Sequence, residues 1–225
     1  MSRTSRKIEI RKFLPADRAR VRELCCATGF LGESIAPVFE DLDIFADYLT
    51  AYYTDWEPES AFVLMLDGEV CGYLLGSRQP FRQRCYNFYS NSVLFVRGLW
   101  RYRSYNAASK KFVHWILRQA WREVPAAPVG MAHFHLNLLA DARQLSTTVE
   151  LVDAYLKYLC DHGEKAVFGQ MVVFGDRRGP KMFERYGFKV LNKSQISKYR
   201  EVYAKPVYLC TVMKDLEAGG SVYGR

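Results

Sequence analysis

Hydrophobic and polar residues alternate along this chain in patterns that divide it into strands and helices. Short apolar runs bounded by turn residues are typical of strands, and apolar positions three or four apart indicate amphipathic helices. The patterns predict strands over residues 7–13, 61–66, 69–76, 133–139, 165–173, 188–191 and 207–214. They predict helices after Pro15, over about 39–53, 106–121 and 179–186, and after Leu145. This order is typical of an α/β fold with helices on both faces of one mixed sheet.

Turn residues support this division. Asp67 and Gly68 join two apolar runs, and this dipeptide suits the type I′ turn of a hairpin. Pro15 stands where a helix begins, and Gly29 stands where the same helix ends.

The segment His133–Thr148 changes from an apolar strand to a helix through a short turn at 141–145. The first turn of a helix has unpaired N–H groups, and the helix dipole favours an anion beside them. A strand, a tight loop and a helix N-terminus in this order are a common arrangement for binding phosphate.

Two motifs in this order resemble those of the GCN5-related N-acetyltransferase (GNAT) superfamily. Arg143, Ser146 and Thr148 hold the positions of the family's Q/R-x-x-G-x-G/A loop, and Arg177–Phe188 resembles its closing N-x-x-A-x-x-F-Y-x-x-x-G-F. With the predicted order of elements, the resemblance covers residues 7–214 apart from an insertion at 78–128. It implies the GNAT fold in a single domain over 1–225, with a loose tail at 215–225.

The resemblance also implies a site for acetyl-CoA as the acyl donor. In that family the strands on either side of the loop and its helix separate, and the pantetheine lies between them. Leu138 and Leu139 would flank the thioester. The residues expected to meet the pyrophosphate are Arg143, Gln144, Leu145, Ser146, Thr147 and Thr148. Asp176 stands where the family often has Asn and is included as a cofactor-binding candidate, with a helix N-cap or turn role as the alternative.

This sequence departs from the family pattern at three positions. Ser146 and Thr148 replace glycines that allow a close approach of backbone to phosphate, although their hydroxyls are able to donate to phosphate oxygens. Phe183 stands where the family usually has the tyrosine that protonates the leaving thiolate. Tyr186, three residues later, is one substitute, and water is another.

Glu57, His133 and His135 are the candidates for the base that deprotonates an amine acceptor. Glu57 precedes the second strand, near where family members often place a carboxylate, and a solvated loop position is the alternative. The two histidines project to the same side of their strand, and neutral imidazole suits proton abstraction near pH 7. The alternative for each is a packed core histidine. No third or fourth ligand accompanies them, so we expect no metal.

The block Phe45–Ser60 and the strand His133–Leu139 carry a finer resemblance. They are similar to the acetyltransferase-like domain of bacterial and animal O-GlcNAcases.

Charge is unevenly distributed along the 225 residues, whose formal net charge is +8. No acidic residue lies between Glu69 and Glu123, whereas ten lysines and arginines do. Eleven aromatic residues alternate with these cations. Three interpretations are open: a lid whose aromatics pack on the sheet and whose arginines face water, a site for an anionic acceptor or the 3′-phosphate of CoA, or a contact with anionic lipid or nucleic acid. The absence of any nucleic-acid motif or apolar run of membrane-spanning length weighs against the third.

Composition excludes wholesale disorder, since 49% of the residues are hydrophobic. The six cysteines show no C-x-x-C spacing and the N-terminus has no apolar signal segment, so we expect a cytoplasmic protein. For its assembly we expect a monomer or a homodimer. The predicted function is acetyl-CoA-dependent N-acetyl transfer to a small-molecule or peptide amine by direct attack. The alternative is an inactive GNAT-like module that binds an anionic ligand, a lipid surface or a partner through its basic insertion.

Overall fold

The computed structural model describes residues 7–174 and 180–216. Seven strands form one sheet in the order β1-β2-β3-β4-β5-β7-β6. The strands are β1 (Ile8–Lys12), β2 (Ala61–Leu66), β3 (Glu69–Ser77), β4 (Ala132–Leu138), β5 (Ala166–Phe174), β6 (Lys189–Ile196) and β7 (Val207–Asp215). Neighbouring strands are antiparallel except β4 and β5, which are parallel. This is the mixed sheet that the sequence predicts.

Helices cover both faces of the sheet, which confirms the predicted fold class. They are α1 (Arg18–Thr28), α2 (Leu42–Asp55), α3 (Pro80–Arg101), α4 (Ala107–Arg118), α5 (Ala120–Glu123), α6 (Leu145–Asp161) and α7 (Pro180–Arg185). Helices α1 and α2 pack on one face, and α6 packs on the other. Most predicted ends differ from these by one to three residues. Strand β6 runs five residues past its predicted end because its edge position leaves Asn192 and Lys193 exposed, so their polarity does not show the strand.

Successive residues of the inner strands enter two hydrophobic cores. Tyr73 and Leu75 of β3 face α1 and α2, whereas Leu74 faces α6 and packs with Tyr155. All four side chains are fully buried. The alternation of a strand therefore places every second residue of β3 in a different core.

The predicted hairpin turn is confirmed by its backbone. Asp67 has a φ of 52° and Gly68 a φ of 89°. A type I′ turn needs positive φ at both central residues, which Asp and Gly adopt more readily than other residues.

The insertion folds as helices α3 to α5. The helix predicted over 106–121 is confirmed by α4 and α5, whereas α3 was not predicted. Helix α3 lies on α2, where Arg97 pairs with Asp47 at 2.7 Å and Arg101 pairs with Asp41 at 3.1 Å. Helix α4 packs Phe112 on the sheet side, 5.2 Å from the ring of Phe39.

The expectation that the aromatics of the insertion pack on the sheet is wrong for α3. Phe81 and Phe88 are each 81% exposed, and Trp100 is 88% exposed. Contact with α2 is made by another face of the helix, and periodicity alone does not show which apolar face of a helix is covered.

Several predictions concern features that are missing or lie outside the described ranges. All six cysteines are described and none forms a disulfide. Within residues 7–174 and 180–216, no cluster of three metal-ligating side chains occurs and no helix combines the length and hydropathy needed to cross a bilayer. The predicted tail begins at the end of β7, and its part beyond residue 216 lies outside the described residues.

Candidate functional site

Strands β4 and β5 separate after three pairs of residues. The last pair joins Phe134 to Gly169, although β4 continues to Leu138 and β5 to Phe174. Beyond that point each strand keeps its other neighbour, because β4 stays paired with β3 and β5 with β7. The separation that the family resemblance implies is therefore present, and it leaves the facing backbone edges of β4 and β5 unpaired with each other.

Beyond the end of β4, a 3-10 turn at Ala140–Ala142 leads into the N-terminus of α6. The helical hydrogen-bond pattern of α6 begins with the N–H of Thr148, which donates to the carbonyl of Gln144 at 3.1 Å. The backbone N–H groups of Ser146 and Thr147 have no acceptor among the described residues. Two donors and the positive end of the helix dipole thus lie just past the open end of β4.

The hydroxyl of Thr148, which replaces a family glycine, and that of the neighbouring Thr147 bond to carbonyls and do not occupy these donors. Thr147 Oγ1 donates to Ala142 O at 2.7 Å and lies within 2.9 Å of Gln144 O, and Thr148 Oγ1 donates to Gln144 O at 3.0 Å. Ser146 is exposed, whereas the side chain of Thr147 is buried. Any contact of Thr147 with a phosphate would therefore come from its backbone.

Arg143 connects the loop after α1 to the end of β4. Its Nη2 donates to Gly32 O at 2.9 Å and to Leu138 O at 3.0 Å. Gly32 has a φ of +96°, and a Cβ there would lie 2.6 Å from Nη1 of Arg143. This guanidinium fixes the strand end from which the loop begins, and its predicted contact with the pyrophosphate stays a prediction.

The remaining cofactor-binding candidates take different positions. Leu138 is buried in the core under α6, whereas Leu139 packs at the edge of the opposite core, so the two side chains border the strand end from opposite faces. Gln144 is exposed at the N-cap, and Leu145 begins α6. Asp176 lies outside the described residues.

His133 and His135 face the same side of β4, as predicted. Both rings contact the ring of Tyr53 on α2, at centroid distances of 5.9 and 5.0 Å. Neither residue is exposed. His133 pairs with Phe168 one residue before the last pair of β4 with β5, and His135 follows that last pair, so the two histidines stand on either side of the point where the strands separate.

His133 belongs to a polar triangle with Tyr53 and Gln83. Its Nε2 lies 3.0 Å from Tyr53 Oη and 3.0 Å from Gln83 Nε2, which also donates to Tyr53 Oη at 2.8 Å. Because an amide nitrogen only donates, this arrangement assigns Nε2 of His133 as an acceptor. Burial lowers the pKa of His133 to about 4, and the charge of Glu57 partly opposes this effect. The ring is therefore neutral at pH 7, with a lone pair at Nε2.

His135 lies deeper against aromatic rings. Its ring contacts Tyr53 and Tyr73, and its Nε2 is buried with no hydrogen-bond partner among the described residues. Burial lowers the pKa of His135 to about 3, with a smaller contribution from His133. His135 therefore fits the alternative of a packed core histidine better than His133 does.

Glu57 is fully buried and accepts four hydrogen bonds. The donors lie on α2, in the 3-10 turn Pro58–Ser60, and at the end of β3 with the residue after it. They are Tyr52 Oη at 2.7 Å, Ser60 Oγ at 2.8 Å, Ser77 Oγ at 2.6 Å and Arg78 N at 2.6 Å. Four donors stabilise a buried carboxylate and hold it in place. They also occupy both of its oxygens.

The fold brings Glu57 and His133 into one neighbourhood. Ser77, which donates to Glu57, lies directly opposite His133 in the pairing of β3 with β4. Two of the predicted catalytic residues are thus neighbours, and Glu57 is fully buried whereas His133 is only partly so. The geometry suits Glu57 to positioning Ser77 and the start of α3, and its predicted role as the base remains untested.

Sequence reasoning missed Tyr53, Gln83 and Ser77. Tyr53 and His133 are 80 positions apart, so no motif spacing links them. The available signal was weak: Ser77 is a polar residue at the end of an apolar strand, and Gln83 is a polar residue in the first turn of a long helix.

Solved structures with the same arrangement of elements are known. The chain is similar to SsHAT, with 22% identity, a TM-score of 0.58, and coverage of 93% of this chain and 98% of that one. It is similar to an N-acetyltransferase from Staphylococcus aureus Mu50 (13% identity, TM-score 0.52, 93% and 99% covered). It is also similar to yncA from Salmonella typhimurium, solved with its cofactor acetyl-CoA (10% identity, TM-score 0.50, 97% and 99% covered). No family model matches the sequence, and no curated protein does.

These similarities extend over nearly the whole chain in each comparison. Together with the strand order and the separation of β4 from β5, they show that the chain has the fold of the GNAT acetyltransferases. The fold predicted from the motif order is confirmed.

Proposed function

We propose that this protein is an acyl-CoA-dependent N-acyltransferase that transfers an acetyl group from acetyl-CoA to an amine of a small molecule or peptide. The observation that carries the proposal is the separation of β4 from β5 next to the free N–H groups at the start of α6. The acetyl-CoA in the similar yncA structure supports the same donor. The finer resemblance to O-GlcNAcase-associated domains and the contribution of the insertion to acceptor binding stay predictions.

The residues around the opening fit the two ends of this donor. The N–H groups of Ser146 and Thr147 would receive the pyrophosphate, since they lie at a helix N-terminus and have no acceptor among the described residues. The unpaired edge of β4 after Phe134 would bond the pantetheine amides as a neighbouring strand does. Arg143 keeps the strand end and the loop in register by holding Leu138 O.

Acetyl-CoA supplies an activated acyl group, and the chain supplies proton transfer and orientation. An ammonium acceptor must lose a proton before it attacks the thioester carbonyl. His133 is the candidate for this step, because its ring is neutral and it stands on β4 next to the point where β5 separates. To accept the proton, its Nε2 would exchange a contact with Tyr53 or Gln83 for the amine. The nearby charge of Glu57 favours the protonated ring and offsets part of the burial cost. His135 and Glu57 remain candidates for direct participation.

Protonation of the leaving thiolate has no donor at the family position. Phe183 is buried in the core under α6 and has no proton to donate. Tyr186 is partly buried beside that core, so it and solvent are the available sources. Thiolate protonation does not have to limit the rate, so this departure is compatible with turnover.

The second candidate function is an inactive binding module, and Phe183 is the observation that favours it. A chain that keeps the fold but lacks the thiolate donor and the loop glycines is expected to bind a ligand without turnover. Activity measurements separate the two functions, as described below.

Binding is tested first, by the thermal unfolding midpoint with and without millimolar acetyl-CoA. A ligand of the native state raises this midpoint. We expect a rise in the wild type and none in Ser146→Glu, because a carboxylate at the first turn of α6 repels the pyrophosphate while it favours the helix itself. Asn192→Asp, which adds the same charge on the exposed edge strand β6, is the matched control and should respond as the wild type does. No rise in the wild type would refute the proposal.

Turnover is tested next, by release of free thiol from acetyl-CoA in the presence of a library of amines. Amine-dependent release that Ser146→Glu abolishes supports the transferase. A midpoint that rises with acetyl-CoA but no release with any amine favours the binding module.

A further inference from the structure

Helix α3 has one face that packs on the protein and another that does not. The packed face contains Leu94, which is buried, and Tyr86, whose ring lies 5.4 Å from that of Tyr52. Gln83 and Arg97 bind Tyr53 and Asp47 of α2 from the same face. These contacts hold α3 against α2 and leave its opposite face outward.

The outward face of α3 is apolar and rich in aromatic residues. Eight of its large apolar side chains are exposed: Phe81, Phe88, Tyr89, Val93, Phe95, Val96, Leu99 and Trp100. They recur at helical spacing along a helix of 22 residues, which is about 33 Å long. Scattered exposed apolar residues are common, but a continuous face of this length marks a surface that is covered by something else.

Charge indicates what covers it. The segment between Glu69 and Glu123 contains no acid and ten cations, four of which pair with carboxylates elsewhere in the chain. The other six have no ion-pair partner among the described residues: Arg82, Arg84, Arg103, Lys110, Arg118 and Arg122. Arg84 and Arg103 lie near opposite ends of α3, so the apolar face is flanked by free positive charge.

We propose that the outward face of α3 docks this protein on an anionic phospholipid surface, with the helix lying in the plane of the interface. A helix with aromatic and aliphatic residues on one side and arginines around it is the composition that binds such surfaces, since its apolar side chains enter the headgroup region while its cations meet the lipid phosphates. The face spans nearly half of the helix circumference, which is wider than the narrow seam of a coiled coil.

Other occupants fit the same face less well. A second copy of the chain would bring an acid-free, cationic surface against an identical one. A single-stranded nucleic acid needs rings on which bases stack, whereas Val93, Val96 and Leu99 interrupt the aromatic residues. The sequence weighed against a membrane partner because no apolar run is long enough to span a bilayer, but a helix that lies in the plane of the interface does not need such a run.

The test is co-sedimentation of the full chain with phosphatidylcholine vesicles that contain or lack phosphatidylserine. We expect the wild type to bind only the anionic vesicles. The triple variant Phe81→Ser/Phe88→Ser/Trp100→Ser should lose at least about tenfold in partition coefficient, because it removes three aromatic side chains from the contact. Arg84→Gln/Arg103→Gln should lose about fivefold per charge, and added salt should weaken wild-type binding.

Controls separate docking from general surface effects. Leu14→Ser/Leu191→Ser removes two exposed apolar side chains outside α3 and should bind as the wild type does. Thermal unfolding midpoints of all variants check the fold, and the substituted aromatics are exposed enough that we expect no loss. The proposal is overturned by wild-type binding that the triple variant retains, by equal binding to neutral vesicles, by binding to single-stranded DNA in place of vesicles, or by a dimer that the triple variant dissolves without any vesicle binding.

Discussion

The phenolic oxygen of Tyr53 on α2 lies 3.0 Å from Nε2 of His133 on β4. This contact joins the helix layer to the middle strand at the point where β4 begins to separate from β5. It fixes the ring that we propose as the proton acceptor, and it makes His133 the first residue to test.

Replacement of His133 by Gln should lower kcat for amine acetylation about 100-fold, the usual contribution of a general base. The KM for acetyl-CoA should change little, since the phosphate donors lie on another element. Thiol release under saturating acetyl-CoA measures both quantities. His114→Gln, which changes an exposed histidine bound to Tyr102 on the insertion, is the matched control and should retain full activity. A fully active His133→Gln variant would remove this residue from the mechanism.

Acid should destabilise the protein below pH 6.5 because two histidines are buried in neutral form. Burial lowers the pKa of His133 to about 4 and that of His135 to about 3, from an ordinary value of 6.5. As pH falls, the unfolded chain binds protons first, so the stabilisation is complete above pH 6.5 and is lost as pH falls to about 4 for His133 and to about 3 for His135. The free energy of unfolding should decrease by at most about 1.4 kcal/mol per pH unit for each ring.

Urea unfolding at a series of pH values across this interval measures the effect. The double variant His133→Asn/His135→Asn should show a shallower slope over the same interval. An unchanged slope would mean that other groups cause the acid destabilisation.

Gly76 should be far more sensitive to alanine than Gly98. A Cβ at Gly76 would lie 2.2 Å from the ring of Tyr155, which is fully buried and donates to His133 O at 2.9 Å. We expect Gly76→Ala to cost about 1–3 kcal/mol in the free energy of unfolding, as overpacking of a dense core does. At Gly98 in α3 the nearest atom is 4.0 Å away, so Gly98→Ala should be neutral or stabilise by up to about 1 kcal/mol. Equal effects in urea unfolding would contradict the packing argument.

Loss of the Arg143 guanidinium should loosen the end of β4. Arg143→Ala leaves the carbonyls of Gly32 and Leu138 without their donor, and we expect a loss of about 1–3 kcal/mol in the free energy of unfolding. Gly32→Ala should cost a similar amount, since its φ of +96° strains any side chain. If both variants unfold at the wild-type urea midpoint, the loop after α1 does not depend on this contact.

The order of the elements outside α3 was predictable because it follows from local physics. Strand alternation, helical spacing and the Asp67–Gly68 turn each depend on residues close together in the chain. His133 and His135 were also predicted to share a face, because side chains two positions apart in a strand point to the same side. The motifs around Arg143 indicated the GNAT fold, because their order and spacing are kept although Ser146 and Thr148 replace the glycines.

Contacts between distant elements were not predictable in this way. The four donors to Glu57 come from three elements, and Tyr53 reaches His133 only after α2 packs on the sheet. Burial then decides protonation, because the imidazole pKa depends on how much water the surrounding elements exclude.

For α3, the sequence by itself determined that aromatic residues and arginines share one segment without acids. Only the tertiary structure decided which side of the helix is covered. Its ion pairs and ring contacts with α2 select one face, and the aromatic face is left outward because a helix rotates as a rigid unit and cannot present both faces to the same neighbour.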